Sequence, residues 1–222
     1  MKKRSIFDIM GPVMIGPSSS HTAGALRISQ IALGILEDQV EEAIFYLYGS
    51  FSETYKGHGT DRALLAGILG YATDHPEIRE ALQIAEQRGV RFAFVPLTLE
   101  QGMHPNTVKM EVYGLKGKKL TMIGSSVGGG EVVISSINGI KVEFSGEYPT
   151  LIVEQMDRPG VAAHITRMLA DGDVNIGRIR MYREHRGTKA FTILETDELV
   201  DADTIEKIKE NEHIYHVFSI VP

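Results

Sequence analysis

Residues 150–169 read TLIVEQMDRPGVAAHITRML, and this stretch decides the fold of the C-terminal part of the chain. The run Thr150–Gln155 is short and apolar, which is typical of a strand. Pro159-Gly160 then opens a helix, because proline is tolerated in the first helical turn. The apolar face of that helix is formed by residues at helical spacing, namely Val161, Ile165, Met168 and Leu169. The stretch therefore predicts a strand, a turn and an amphipathic helix.

The remaining C-terminal segments complete a small domain. Ile176–Glu184 and Lys189–Thr196 read as strands that pair around His185-Arg186-Gly187. Asp201–Glu210 reads as a second helix, and Ile214–Val221 as a final strand. The order β-α-β-β-α-β is that of the ferredoxin-like split unit, which we therefore predict for this part of the chain.

The part of the chain before this unit mixes helices and strands without strict alternation, so we predict an α+β fold with a mixed sheet. Apolar spacing predicts helices over Thr22–Glu37 and Thr60–Tyr71, and another helix that begins at Pro76. The predicted strands are Ala43–Tyr48, Val90–Leu99, Thr107–Tyr113, Lys118–Ile123, Glu131–Ile137 and Ile140–Phe144. Asn138-Gly139, between the last two, is a strong two-residue hairpin signal.

Charge and turn residues predict a boundary between two domains near Ser145–Pro149. Residues 147–222 carry 9 Lys and Arg against 14 Asp and Glu, whereas residues 1–146 carry 14 against 15. Gly146 and Pro149 bracket a possible linker at the same place. We therefore expect domains over residues 1–146 and 147–222.

The composition of the chain excludes several classes of function. The 222 residues are 43% apolar and contain no cysteine, which excludes disulfides, a thiolate nucleophile and a cysteine-ligated metal centre held by this chain alone. The net charge of −6, without a long basic run, argues against a nucleic-acid partner. No apolar run approaches the length of a membrane span, and the segment after Lys2-Lys3-Arg4 lacks the apolar core of a signal peptide. We expect a soluble cytoplasmic protein without nucleic-acid or membrane partners.

Three consecutive hydroxyls precede the first predicted helix. Ser18, Ser19 and Ser20 are followed by His21 and Thr22, just where the backbone N–H groups of a helix are unpaired and its dipole is positive. Such a site can hold a carboxylate or a phosphate. The alternative is a polar loop in which one hydroxyl caps the helix.

A histidine between glycines precedes a second predicted helix, in the string Lys56-Gly-His-Gly-Thr-Asp61. Gly59 allows close approach of a ligand to the backbone, and Thr60 and Asp61 begin the helix. A neighbouring helix N-terminus favours the neutral imidazole of His58, which can accept a proton. The alternative is a glycine-rich turn with an exposed histidine.

Two further loops lie between predicted strands. His104 and Asn106 can both point into a cleft, or they can belong to a solvated loop. Ser125–Gly130 contains three consecutive glycines, which can cradle an anion or form a wide turn. The latter is not a dinucleotide fingerprint, because it leads into a strand. No histidine pair at helical spacing with a carboxylate partner suggests a metal site.

The turn between the first strand and the first helix of the C-terminal domain is a candidate for binding a small molecule. Asp157, Pro159 and Gly160 form the turn, and Val161 begins the helix, whose N–H groups are left open to an anionic group. Asn175 and Ile176 stand where the chain enters the next strand. The alternative is an ordinary turn between a strand and a helix.

Together these motifs resemble a known family. The strings GPSSSHTAG, GHGTD, MHPN and SVGGG, in this order, resemble the β subunit of the bacterial iron–sulfur-dependent L-serine dehydratases. The strings VEQMDRPG and DVNIGRIRMYR resemble an ACT domain, a sensing module that is often specific for amino acids. The first domain is also similar to the allosteric substrate-binding domain of some phosphoglycerate dehydrogenases.

The resemblance implies an L-serine ammonia-lyase, in which L-serine loses water and the product hydrolyses to pyruvate and ammonia. It implies a four-iron four-sulfur (4Fe-4S) cluster that acts as a Lewis acid and is held by cysteines of an α subunit. The absence of cysteine here then places the cluster on that partner, and we expect this chain to be active only with the α subunit. We expect it to be a separate β chain, because it ends after the ACT domain.

The resemblance also implies roles for individual residues. His58 and His104 are expected to transfer protons, supported by His21, without an assignment of acid and base. The substrate carboxylate is expected to be held by Ser18, Ser19, Ser20 and Thr22. Neighbouring groups are expected to be oriented around the substrate by Gly59, Thr60, Asp61 and Asn106. The ACT effector, L-serine or another amino acid, is expected at Asp157, Pro159, Gly160, Val161, Asn175 and Ile176.

Two points about regulation stay open from the sequence. The chain can instead be a non-catalytic, amino-acid-sensing regulatory subunit that has kept an anion site. Because an isolated four-stranded sheet has edges to cover, we also expect a homodimer through the ACT domain.

Overall fold

A computed structural model of the chain describes residues 13–222, and it divides into two compact units. The first unit ends at Gly139, and the second covers Ile140–Pro222. The first twelve residues of the predicted first domain lie outside the described residues. Across residues 13–222, no helix is long and apolar enough to cross a membrane.

The first unit is built on a mixed sheet whose strands are β1 (Val40–Tyr48), β2 (Arg91–Leu97), β3 (Thr107–Gly114), β4 (Lys119–Gly128) and β5 (Glu131–Ile137). With β6 (Ile140–Phe144) the strand order is β2-β1-β3-β4-β5-β6. β1 pairs with β2 in parallel, whereas the β1–β3, β3–β4 and β4–β5 pairs are antiparallel. This mixed sheet confirms the α+β prediction.

Helices cover one face of this sheet. They are α1 (Ala25–Leu36), α2 (Ser50–His58), α3 (Thr60–Ile68) and α4 (Ala81–Gln87), with a π-helical turn over Ser19–Gly24 and a 3-10 turn over Pro76–Glu80. Alternate strand residues face these helices and form the core, among them Phe45, Leu47, Met110 and Met122, which are fully buried. The outer face of the sheet is half-buried and carries polar side chains such as Lys109 and Glu111.

Most predicted elements of this unit are present, with three differences. The first helix begins as the π-helical turn, α2 was not predicted, and β4 runs on to Gly128. Ser125 and Ser126 therefore belong to a strand rather than to the expected glycine-rich loop. The Asn138-Gly139 hairpin is present, and both residues have the positive φ that its turn requires.

The second unit confirms the ferredoxin-like prediction. Its elements are β7 (Thr150–Met156), α5 (Val161–Asp171), β8 (Ile176–Arg183), β9 (Lys189–Thr196), α6 (Ala202–Lys209) and β10 (Ile214–Ile220). The strand order is β10-β7-β9-β8, with every pair antiparallel. The helices bury one sheet face in a core that includes Val153, Ile165 and Leu194.

The second unit also contains β6, which lies before the predicted boundary at residues 146–147. Glu143 of β6 accepts a hydrogen bond from Arg180 of β8 at 2.6 Å, and its backbone carbonyl accepts another from the Tyr182 hydroxyl at 3.2 Å. These contacts tie β6 to the edge of the ACT-like sheet, and they account for the division at Gly139.

Candidate functional site

The polar motifs of the first unit meet at one end of its sheet, where β1 ends and β3 begins. The π-helical turn of residues 19–24, the start of α2 and the loop before β3 lie there together. Of the three candidate histidines, His21 and His58 are in direct contact, with ring centroids 4.7 Å apart and rings perpendicular. His104 is held close by through its own loop, which rests on the first turn of α2.

His21 is buried between two serine hydroxyls. Its Nδ1 lies 3.3 Å from Ser18 Oγ, and its Nε2 lies 3.0 Å from Ser50 Oγ. Ser18 also caps the π-helical turn by accepting a hydrogen bond from the His21 backbone N–H. Burial, and secondarily the neighbouring His58, lower the pKa of His21. His21 is therefore a neutral, fixed side chain near neutral pH, which fits it to position its neighbours.

His58 is exposed, and it is the last residue of α2 rather than a loop residue before a helix. Gly59, with φ +72°, both ends α2 and begins α3. The His58 carbonyl accepts a hydrogen bond from Thr22 Oγ1 at 3.4 Å. Within residues 13–222, no hydrogen bond occupies the His58 ring. Both of its nitrogens are thus available to a ligand.

Thr60 and Asp61 form the buried first turn of α3. Thr60 Oγ1 is fully buried and has no hydrogen-bond partner within the described part of the chain. Asp61 is 7% exposed and accepts a hydrogen bond from the Arg62 backbone N–H at 2.8 Å. Burial is the main cause that raises the pKa of the Asp61 carboxyl. The turn thus holds a hydroxyl with unused hydrogen-bonding capacity beside a carboxyl that is costly to ionise.

His104 is oriented by its own loop. Its Nδ1 accepts a hydrogen bond from the Asn106 backbone N–H at 3.1 Å, so the neutral ring carries its proton on Nε2. The Asn106 carbonyl accepts from the Ser126 backbone N–H, and the Thr107 hydroxyl lies 2.7 Å from that of Ser125. The loop is therefore fixed to β4, and His104 presents an N–H donor.

Sequence reasoning missed Gly49 and Ser50, which connect these parts. Gly49 has φ +54°, and a Cβ there would lie 2.7 Å from the carbonyl oxygen of Pro105. That carbonyl also accepts a hydrogen bond from Phe51 N, so the His104 loop rests on the first turn of α2. The available signal was a Gly-Ser pair directly after an apolar strand, which is typical of a tight turn.

Ser19 and Ser20 lie half-buried in the π-helical turn, next to His21. Thr22 and His58 line a cavity of about 620 Å³ that opens beside this turn. Other parts of its wall are Gly59, Arg62 and Arg79. The arrangement provides hydroxyl donors, two accessible histidines and a space for a small molecule.

The candidate effector residues of the second unit form two groups at opposite ends of the sheet. At one end, the Asp157 carboxylate accepts hydrogen bonds from Gly187 N and from Arg183, both at 3.0 Å. These bonds hold the pKa of Asp157 below its ordinary value, with the Gly187 N–H as the larger cause. Pro159, Gly160 and Val161 lie at this end as well.

The other group lies at the opposite end of β8. Asn175 Nδ2 donates to Asp197 at 2.6 Å, and Ile176 pairs with Thr196. β8 spans eight residues, so about 20–25 Å of strand separates the two groups. Within one chain, the structure does not bring the candidate effector residues together.

Comparison with known families matches both units. The family described as "Serine dehydratase beta chain" matches residues 5–136, and the family described as "ACT domain" matches residues 149–213.

Individual relatives agree with these matches. The "Probable L-serine dehydratase, beta chain" of Bacillus subtilis (strain 168) is 40% identical over 225 residues and covers 99% of each chain. The "L-serine dehydratase, beta chain" of Peptoniphilus asaccharolyticus is 43% identical over 176 residues, or 79% of each chain. The "D-3-phosphoglycerate dehydrogenase" of Methanocaldococcus jannaschii is 25% identical over 87% of this chain and 36% of its own.

Proposed function

Since the chain belongs to the serine dehydratase beta chain family and carries an ACT domain, we propose that it supplies substrate-binding and proton-transfer side chains for the conversion of L-serine to pyruvate and ammonia. The observation that carries the proposal is the meeting of His21, His58 and the His104 loop around the first turn of α2. The resemblance predicted from the motifs is confirmed by the family matches.

The 4Fe-4S cluster of the proposal belongs to an α subunit. Such clusters are ligated by cysteine thiolates, and this chain contains none. The hydroxyls and histidines of the site do not form that ligand set, and no group of three or more His, Asp or Glu suited to a metal occurs within residues 13–222. The roles proposed for this chain are therefore binding and proton transfer by its own side chains.

We assign His58 the role of base for the α-proton of serine. It is exposed, lines the cavity and has both ring nitrogens free of hydrogen bonds within the described residues. A base needs an unprotonated nitrogen within reach of the substrate. His21, packed edge-on against the His58 ring, is the positioning residue that fixes its orientation.

We assign His104 the role of proton donor. Its Nδ1 is occupied by the Asn106 N–H, so the neutral ring can offer only Nε2–H. A donor fixed in this way suits the hydroxyl that leaves as serine is dehydrated. Asn106 holds the ring through its backbone, and this accounts for its expected orienting role.

The substrate carboxylate would be held by the hydroxyls before α1. Ser18, Ser19 and Ser20 lie half-buried at the start of the π-helical turn, where backbone N–H groups are also available. Thr22 lines the cavity beside them. Gly59 lines it as well, and behind it Thr60 and Asp61 shape the start of α3.

For the ACT domain we propose that an amino acid, L-serine or another, binds at Asp157–Val161 together with Asn175 and Ile176. Because these groups lie at opposite ends of β8, a shared site needs a second copy of the chain. Antiparallel pairing of two β8 edges would place the Asn175 end of one copy beside the Asp157 end of the other. The same pairing gives the expected homodimer.

The proposal is tested by His58→Ala in the complex reconstituted with the α subunit. A loss of ~10²-fold or more in kcat is expected if His58 moves the α-proton. His75→Ala removes a histidine of the same unit that lies outside the site and is the matched control. An unchanged kcat in His58→Ala would instead favour the alternative, a regulatory subunit without a catalytic share. Activity of the isolated chain on L-serine would contradict the need for a partner.

A further inference from the structure

The cavity beside His58 has a wall that the proposed chemistry does not use. Arg62, from the first turn of α3, and Arg79, from the 3-10 turn before α4, both line it. Apolar side chains, Ile15 and Ile78, form the rest of this wall. No carboxylate lines the cavity among the residues that the structure describes.

Neither guanidinium is neutralised by a neighbour. Within residues 13–222, no ion pair and no side-chain hydrogen bond is made by Arg62 or Arg79, although the surface arginines Arg91, Arg178 and Arg180 all pair with carboxylates. The nearby Asp61 is buried, accepts from the Arg62 backbone N–H and does not line the cavity. The cavity therefore carries two uncompensated positive charges.

These charges define the ligand. A guanidinium binds a carboxylate through two parallel N–H donors, so two arginines on one wall favour a small carboxylic acid. An ammonium group in the same space would be repelled by both arginines and would find no carboxylate on the wall. The cavity thus favours an anion that has no amino group.

We propose that this cavity binds small monocarboxylates without an ammonium group, and in particular 2-oxo acids such as pyruvate. The link to pyruvate rests on the proposed function, in which a zwitterionic amino acid becomes a 2-oxo acid by losing ammonia. Serine carries a carboxylate and an ammonium and has no net charge, whereas pyruvate carries only the carboxylate. The cavity is then a product site that shares Thr22 and His58 with the substrate.

The experiment measures binding to the purified full chain by calorimetry, at fixed ionic strength, with sodium pyruvate and L-alanine as probes. The two molecules share a three-carbon skeleton and differ in the oxo or ammonium group. Pyruvate is expected to bind at least ~10-fold more tightly, and Arg62→Gln and Arg79→Gln are each expected to weaken it by about 10-fold. Arg91→Gln removes the same charge from the same unit, away from the cavity, and is expected to leave the affinity unchanged.

A second readout locates the bound acid. The amide resonances of Gly57 and Gly59, which line the cavity, are expected to shift with pyruvate in the wild-type chain and not in Arg79→Gln. Equal binding of alanine and pyruvate, or the same affinity in both arginine variants, would overturn the proposal. So would shifts confined to the second unit.

The two proposals can fail separately, because pyruvate binding is measured on this chain without the α subunit. If His58→Ala keeps full activity in the complex while Arg79→Gln abolishes pyruvate binding, the anion site stands and the proton-transfer role falls. The reverse pair of results removes only the anion site.

Discussion

At the scale of single residues, His21 shows how burial converts a titratable group into a fixed one. The residue is 9% exposed, is bonded at both ring nitrogens to serine hydroxyls and lies between Phe51 and His58. Charging it would place a cation in a poorly hydrated site beside a second imidazole. The site therefore keeps a rigid neutral histidine next to an exposed one, and each is suited to a different task.

The lowered pKa of His21 makes stability depend on pH with a definite sign. The unfolded chain takes up a proton at this position as the pH falls through about 6.5, whereas the folded chain resists it. This contribution to the free energy of unfolding is fully present above pH 6.5 and is lost as the pH falls toward the folded pKa. Urea unfolding between pH 8 and 5 is expected to show a shallower decline in His21→Asn than in the wild type. Identical slopes would contradict it.

Ser50 is the residue on which the position of His21 depends. Ser50→Ala leaves the buried Nε2 without its hydroxyl partner, so we expect a loss of about 1–3 kcal/mol in the free energy of unfolding. We also expect kcat of the assembled enzyme to fall and its pH profile to move, because His21 positions His58. Ser52→Ala changes the same residue type on the same helix and is the control. A stability loss with an unmoved pH profile would reduce Ser50 to a structural role.

At the scale of elements, α2 shows what periodicity could not reveal. Its sequence SFSETYKGH buries only Phe51, so no apolar stripe marks it as a helix. The helix exists because Gly49 turns the chain out of β1 and because its first turn packs against the Pro105 carbonyl. Both are tertiary causes, and a local pattern cannot contain them.

The elements that were predicted well are those with strong local patterns. β1, β3, β5 and the elements of the second unit carry apolar runs or alternation that single windows reveal. The histidines and hydroxyls of the site were found because glycines and consecutive serines mark their loops. Ser125 and Ser126 were placed in a loop because Gly128–Gly130 follows them, whereas pairing with β3 and β5 extends β4 as far as Gly128.

The contact between the π-helical turn and β4 depends on Gly24. A Cβ there would lie 2.0 Å from Ser126 Oγ, although the backbone φ of −64° is ordinary for any residue. Gly24→Ala is therefore expected to destabilise the chain by about 1–3 kcal/mol through overpacking of a buried contact. Gly57→Ala, a helical position with open space, is expected to be neutral or to stabilise by up to about 1 kcal/mol.

Thermal unfolding of the two glycine variants measures this difference. The double variant Gly24→Ala, Ser126→Gly restores the space and is expected to recover part of the loss. Equal melting temperatures for Gly24→Ala and the wild type would show that the turn can move away from β4.

At the scale of the whole molecule, the decisive fact is the separation of the two candidate effector groups along β8. The order of the motifs placed them in one domain, but only the register shows that Asp157 lies beside Arg183 while Asn175 lies beside Asp197. β8 is an edge strand with Ile179 and Met181 each 45% exposed. A second copy paired there would cover the edge and join one group of each copy.

This arrangement predicts complementation between two defective chains. Asp157→Ala and Asn175→Ala are each expected to lose the L-serine response of the ACT domain, read at the Gly160 amide resonance. In a 1:1 mixture, each mixed dimer contains one site with both intact groups. If only the Asn175→Ala chain carries 15N, about half of its Gly160 signal is expected to shift with L-serine, because random pairing places half of the labelled chains in mixed dimers.

The controls decide whether pairing through β8 is the cause. The labelled chain mixed with unlabelled Asn175→Ala is expected to show no shift, because no mixed dimer then holds an intact site. Adding Ile179→Lys and Met181→Lys to both chains places like charges on the paired edge and is expected to abolish the response and the dimer together. Leu199→Lys adds one such charge at an exposed position outside the edge and is expected to preserve both. A response in Asn175→Ala alone would mean that one chain holds the effector by itself.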